Sequence, residues 1–289
     1  MFQLGVITDE VSQNFEFALQ FAKRHDLDCV ELRSAWGKGP FEFTKEDIFA
    51  IGSLLKQYHM PVVAVSSPFY KCDYFDETEK KAHLAGLERT VQYAKLLGAP
   101  FIRCFDFFRD ERVTLKMIKE AYRAPIRLCE QEGCTLLIES EPTTNACDCE
   151  KTAALVDFID SSVVKAVYEP GNDIYSPTGE IPYPDGFQFV RKSFRHVHVK
   201  DAIKVDGKAV GVAVGSGLVD YHGIIKALIE MNFSGAVVLE THYRPGEALP
   251  EDVLKNPAGG GISCGGAAAS EICMVALKKL IQQVQQEVL

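Results

Sequence analysis

The sequence predicts an α/β fold, a closed (β/α)8 barrel, and three observations lead there. Eight short apolar runs of strand character recur along the 289 residues, separated by segments of helical periodicity. The first run leads into VITDEVSQ, without the G-x-G-x-x-G turn that opens a doubly wound nucleotide-binding sheet. No Pro- or Ser-rich linker divides the chain. Residues 1–289 therefore read as a single barrel domain, a fold that occupies roughly 250 residues.

The strands follow in order. QLGVIT (Gln3–Thr8), DCVELR (Asp28–Arg33), PVVAVS (Pro61–Ser66) and FIRCF (Phe101–Phe105) are short, apolar runs, the length of buried parallel strands. TLLIE (Thr135–Glu139), KAVYE (Lys165–Glu169), RHVHVK (Arg195–Lys200) and AVVLE (Ala236–Glu240) complete the eight. Helical spacing of apolar residues marks Asn14–His25, Glu77–Gly98 and Thr114–Gly133, and a last helix over Ser270–Gln286. GGGISCGGAAAS (Gly259–Ser270) reads as one long loop between the last strand and the last helix, either a lid or a phosphate cradle before a helix N-terminus. GSG at Gly215–Gly217 reads as a tight turn.

Composition narrows the function. A formal charge of −9 argues against a nucleic-acid groove, which needs a basic face, but leaves room for a small anionic substrate. No apolar run reaches the ~18 residues of a membrane span. MFQLGVITDE has neither a basic n-region nor a cleavable apolar stretch, so a cytoplasmic location is expected. Nine cysteines, an odd number at irregular spacing, fit reduced thiols better than a disulfide framework. The C-x-C of Cys147 and Cys149 lacks the second ligand pair of a zinc site.

In such a barrel, chemistry gathers where strands end. Strands five to eight end in Glu139, Glu169, His198 and Glu240, about one βα unit apart. Converging three carboxylates and an imidazole would set like charges against one another. One divalent ion (Mn²⁺, Mg²⁺, Co²⁺ or Zn²⁺) resolves the conflict, since oxygen and imidazole donors suit all four. FRHVHVKDA explains itself on this basis. A period of two puts His196, His198 and Lys200 on the inward face and the valines against the helices. His198 is the ligand, and His196, one layer deeper, is a supporting or core histidine. Lys200 either holds a substrate oxygen or pairs with Asp201 at the rim. Arg103 is a substrate anion contact or half of a buried ion pair. Glu141 accepts a substrate hydroxyl or is an exposed loop acid. Glu31 and Arg33 share one face of strand two, from which either could reach the barrel mouth, and an ion pair inside the barrel is expected. Ser66, Ser67 and His242 also follow strands, and Phe105, Phe107 and Phe108 form an apolar wall or ordinary core.

These residues resemble a known family. GVITDEVSQNFEFALQFAKRHDLDCVELRSAWG, LLIESEP, YEPGN, HVHVKD and GSGLVDYHGIIKALIEMNFSGAVVLETH, in this order, are similar to the sugar phosphate isomerase/epimerase group with a xylose isomerase-like barrel, over nearly the whole chain. The resemblance implies a metal held by Glu139, Glu169, His198 and Glu240. It makes Glu139 and Glu240 the catalytic pair that moves a proton beside a carbonyl through an enediolate, and it makes Asn172 a substrate contact. The family usually has Asp before PGN, where this chain has Glu169. The expected substrate is a sugar or sugar phosphate, and self-association is compatible with the fold. A dehydratase of an inosose-like keto-polyol shares the first step. A non-catalytic sugar-binding barrel is a further alternative. A three-zinc endonuclease would need histidines on strands three and four, which this chain lacks.

Overall fold

The computed structural model describes residues 2–246, 249–250, 252–253 and 259–288. Eight strands close into a barrel: β1 (Gln3–Ile7), β2 (Cys29–Leu32), β3 (Val62–Ser66), β4 (Phe101–Cys104), β5 (Thr135–Glu139), β6 (Val164–Tyr168), β7 (Phe194–Val199) and β10 (Ala236–Leu239). Their spatial order is β1-β10-β7-β6-β5-β4-β3-β2, and every neighbouring pair is parallel. A separate antiparallel hairpin, β8 (Asp201–Val205) and β9 (Lys208–Val212), leaves the barrel directly after β7.

The helices are bounded by their own sequence. Asp76, Thr114, Asp148 and Asp220 each cap a helix by accepting a backbone N–H of its first turn, and Thr44 and Asp47 cap one reciprocally. Gly98 and Gly133 end two helices at φ +73°, where a side chain would be strained.

The core has two parts, set by the alternation along each strand. Outward residues such as Val30, Ile102, Leu136, Val197 and Leu239 join the helices in one large apolar cluster. Inside the barrel, Ile7, Cys29, Val63, Ala236 and Val238 form a small separate plug. The next inward positions on the same strands are polar: Glu31 follows Cys29, Glu240 follows Val238, and His196 and His198 pair with Ala236 and Val238. The barrel interior thus passes from an apolar plug to a buried charged layer at its C-terminal mouth, so the two valines of FRHVHVKDA face the helices as expected.

Two sequence expectations change. Gly259–Ser270 is not one loop: Gly259–Ser263 is a short helix, and the last helix starts at Gly266 and runs to Val288. Ala267–Ala269 are strong helix formers, and Gly266 lets the helix press against the Glu10 carbonyl, which an added Cβ would approach to 2.0 Å. The segment is held down, with Ser263 donating to the Asp9 carbonyl at 2.6 Å and Arg244 Nε to the Cys264 carbonyl at 2.7 Å. The β8–β9 hairpin was not anticipated, although its signal is in the sequence. Asp206-Gly207, both at positive φ, is the favoured two-residue hairpin turn between alternating strands.

Candidate active site

Glu139 ends β5, Glu169 follows β6, His198 lies in β7 and Glu240 follows β10, so four neighbouring strands deliver one candidate ligand each to the mouth. All four side chains are buried, and each offers a donor atom within 4.8 Å of the others. His198 Nδ1 is the hub. It lies 2.9 Å from Glu169 Oε2 and 4.0 Å from both Glu139 Oε2 and Glu240 Oε2. Below it, Glu31 bridges the two histidines: Oε2 is 2.6 Å from His196 Nε2 and 3.1 Å from His198 Nε2. A carboxylate can only accept, so both rings carry hydrogen on Nε2 and His198 turns a lone pair on Nδ1 toward the three acids once its other proton is gone. Ser66 Oγ donates to the other oxygen of Glu31. Glu31 and Arg33 thus both enter ionic contacts inside the barrel, with partners on other strands and loops rather than with each other.

Arg33 donates to Asp9, to Glu10 and, through Nη1 at 2.7 Å, to Glu240. Lys200 is not a rim lysine. It is buried, and its Nζ lies 2.7 Å from Glu240 Oε2 and 3.8 Å from Glu169 Oε1. Asp201 turns the other way and accepts from the backbone N–H groups of Ala202, Gly215, Gly217 and Val219, which makes GSG a turn wrapped around a carboxylate. Arg103 Nε stands 3.0 Å from Glu139 Oε2. The carboxylates are therefore not uncompensated, as charge counting at strand ends suggested. Cations just after β2, on β4 and just after β7 reach the same layer. Glu169 is the exception, since neither of its oxygens has a hydrogen bond among the described residues.

The electrostatics follow from these contacts. Burial alone would raise Glu31, but the imidazoles of His198 and His196 more than offset it and hold its carboxyl well below the usual range. Burial disfavours a charged His198, but Glu31 and Glu169 raise its affinity for a proton well above normal. Burial pushes Glu169 up to about 7, against the pull of Lys200. Glu240 is held well below the usual range because Lys200, His242 and Arg33 outweigh its burial. His242, beside Glu240, is pushed down to about 4, chiefly by burial, and is neutral at pH 7.

The tetrad fits a divalent ion. Glu139 Oε2, both Glu169 oxygens and His198 Nδ1 are buried without a hydrogen-bond partner and face one another. Three carboxylates and one imidazole form a donor set suited to Mn²⁺, Mg²⁺, Co²⁺ or Zn²⁺, and the extra methylene of Glu169 still brings its carboxylate to the common point.

Two cavities open beside the tetrad. One, of about 470 Å³, is lined by Arg33, Ser66, Lys71, Arg103, Phe41 and Phe105. The other, of about 570 Å³, is lined by Glu141, Thr143, Asn172, Tyr175, His242 and the β8–β9 turn. Asn172 donates to the Ser140 carbonyl at 2.7 Å and to Glu139 Oε1 at 3.3 Å, so it steadies Glu139 at the cavity edge. Glu141 is buried rather than an exposed loop acid, and Lys71 Nζ pairs with it at 3.1 Å. Phe105 walls the first cavity, Phe107 is core, stacked on Tyr70, and Phe108 is exposed. Sequence reasoning missed Asp9 and Glu10, which VITDE places in the short helix that follows β1. Lys71 carried no such signal, because it sits in an aperiodic loop.

No helix among the described residues is long and apolar enough to cross a membrane. The xylose isomerase-like TIM barrel family model matches residues 19–257. Inosose dehydratase of Clostridium beijerinckii is 23% identical over 249 residues, 79% of this chain and 74% of that protein. A D-tagatose 3-epimerase-like protein superposes with a TM-score of 0.74 at 15% identity, over 99% of this chain and 100% of the other. The IOLI protein with a bound zinc atom gives 0.72 at 14% identity, over 98% and 99%. With 239 consecutive residues matched and the eight-stranded parallel barrel in place, this chain belongs to the xylose isomerase-like TIM barrel family.

Proposed function

We propose that this protein is a divalent-metal-dependent isomerase or epimerase of a sugar or sugar phosphate, working by proton transfer at a carbon next to a carbonyl. The observation that carries the reading is the convergence of Glu139, Glu169, His198 and Glu240 between two cavities at the barrel mouth. A bound ion supplies Lewis-acid stabilisation of the charge that builds on the substrate's oxygens as the proton leaves. Glu139 and Glu240 flank the centre, each 4.0 Å from His198 Nδ1, and are the groups that take and return the proton. Asn172 and Arg103 hold Glu139, while Arg33 and Lys200 hold Glu240, so neither carboxylate has to be ordered during the reaction. Asn172, Glu141, Lys200 and Arg103 line or border the cavities as substrate contacts.

The buried ammonium of Lys200 favours a second reading, in which the same first step is followed by loss of a β-hydroxyl. It is placed to hydrogen-bond a departing hydroxyl, although Glu169 and Glu240 hold its own proton well above the usual lysine range, and the inosose dehydratase relative has a dehydration in its name.

The test is metal analysis of protein purified without chelator, followed by exchange of ketoses and keto-polyols in D2O on the Mn²⁺-loaded enzyme. About one ion per chain, deuterium at the carbon beside the carbonyl, and loss of exchange in Glu139→Gln and Glu240→Gln are expected. A chain that takes up no divalent ion after reloading refutes the proposal. NMR of the products separates epimer from dehydrated ketone.

A further inference from the structure

We infer that the substrate carries an oxyanion, a carboxylate or a phosphate, seated on Arg103 in the 470 Å³ cavity, a few bonds from the carbon whose proton moves. The inference rests on the proton-transfer reading above and adds the substrate's class to it.

The three cations that line this cavity are not equivalent. Arg33 spends Nε, Nη1 and Nη2 on Asp9, Glu240 and Glu10. Lys71 spends its ammonium on Glu141. Arg103 is 5% exposed and is engaged at two places only: Nε faces Glu139 Oε2 at 3.0 Å, and the guanidinium carbon lies 4.5 Å from the centre of the Phe105 ring. Its Nη1 and Nη2 have no partner among the described residues. The fork is pinned on one edge and one face, and its remaining N–H donors are left to the cavity it lines. A guanidinium is always charged, and its fork matches a carboxylate or phosphate through two parallel hydrogen bonds. These donors open on the cavity, and a ligand that takes both at once gains two charge-assisted hydrogen bonds. Besides its three cations the first cavity has Glu42 and Ser66 as polar side chains, and Phe41, Phe105, Pro40 and Pro68 offer little to a chain of hydroxyls, whereas the second cavity presents Glu141, Thr143, Asn172 and His242. The anionic end therefore belongs on the Arg103 side and the polyol end on the other. Because one guanidinium touches both Glu139 and the cavity, the oxyanion lies close to the reacting carbon.

The matched probes are D-fructose, 2-keto-D-gluconate and D-fructose 1-phosphate, which share C3–C6 and differ only at C1. Binding to the full Mn²⁺-loaded chain is measured by calorimetry, with deuterium uptake at C3 followed in parallel. At least tenfold tighter binding of one anionic ketose than of fructose is expected, and the preferred anion tells carboxylate from phosphate. Arg103→Gln should abolish that preference, and Arg103→Lys, which keeps the charge without the fork, should retain part of it. Equal binding of all three, no binding of either anion, or a uniform loss in Arg103→Gln would overturn the inference. Uniform loss would reduce Arg103 to a support for Glu139. Preferential binding without exchange of any probe would leave the subsite standing and count against the proton-transfer reading.

Discussion

Glu31→Gln tests how the site is tuned without touching a ligand. The carboxylate of Glu31 accepts from both His196 and His198, at 2.6 and 3.1 Å, with the second His198 contact at 3.3 Å. A glutamine keeps the shape but replaces one acceptor oxygen by an NH₂ donor. With the amide oxygen at the Oε2 position both rings keep an acceptor but lose the negative charge that holds them. With the NH₂ at that position both rings must present a lone pair at Nε2, and the hydrogen of His198 moves to Nδ1, the atom aimed at Glu139, Glu169 and Glu240. Losing such a hydrogen bond behind a metal-binding histidine costs 10- to 100-fold in affinity, about 1.4–2.7 kcal/mol. The assay is Mn²⁺ or Zn²⁺ titration against a fluorescent chelator at pH 7.5, with circular dichroism to show that the variant is folded. Glu31→Asp, which restores the charge at a longer reach, should recover part of the loss. A folded Glu31→Gln chain that binds metal within threefold of the wild type refutes the reasoning.

Three further outcomes are expected. Gly266→Ala should lower the melting temperature and cost about 1–3 kcal/mol in urea unfolding, since the new Cβ would meet the Glu10 carbonyl at 2.0 Å and the helix must shift; an unchanged midpoint would show the approach to be looser. Asp106 is fully buried, which pushes its carboxyl up to about 7 against the bonds from Thr144 and the Ala146 N–H. A raised folded-state pKa contributes stability that is complete below about 4 and lost as pH rises through about 7, up to roughly 4 kcal/mol. Asp106→Asn should therefore gain on the wild type by up to that amount between pH 4 and pH 8, and a difference in unfolding free energy that does not change with pH would contradict this. Finally, chelation should lower the melting temperature of the metal-loaded protein, by the equivalent of about 2.7 kcal/mol when free ion exceeds its Kd a hundredfold, and His198→Ala should show no such shift on adding or removing metal.

The barrel and the tetrad were legible in the sequence for a local reason. A strand's period and its last residue are properties of a few consecutive positions, so Glu139, Glu169, His198 and Glu240 could be picked out, and the inward turn of His196, His198 and Lys200 followed from alternation. That rule stops at the end of a strand, so it passes over Asp9 and Glu10 in the short helix after β1. The β8–β9 hairpin was written in Asp206-Gly207 and overlooked. Only the closed barrel decided which charges meet. Arg33 reaches Glu240 across 207 positions of sequence and Glu31 reaches His196 across 165, and nothing in either segment names the other. Lys200 pairs with Glu240, while Asp201 is taken up by the N–H groups of the GSG turn. By itself the sequence determined the fold and pointed to the four residues that converge at the mouth. Tertiary structure decided their compensation, the two cavities and the unclaimed edge of Arg103, because partners across a barrel are set by strand register and closure, which no single stretch of chain contains.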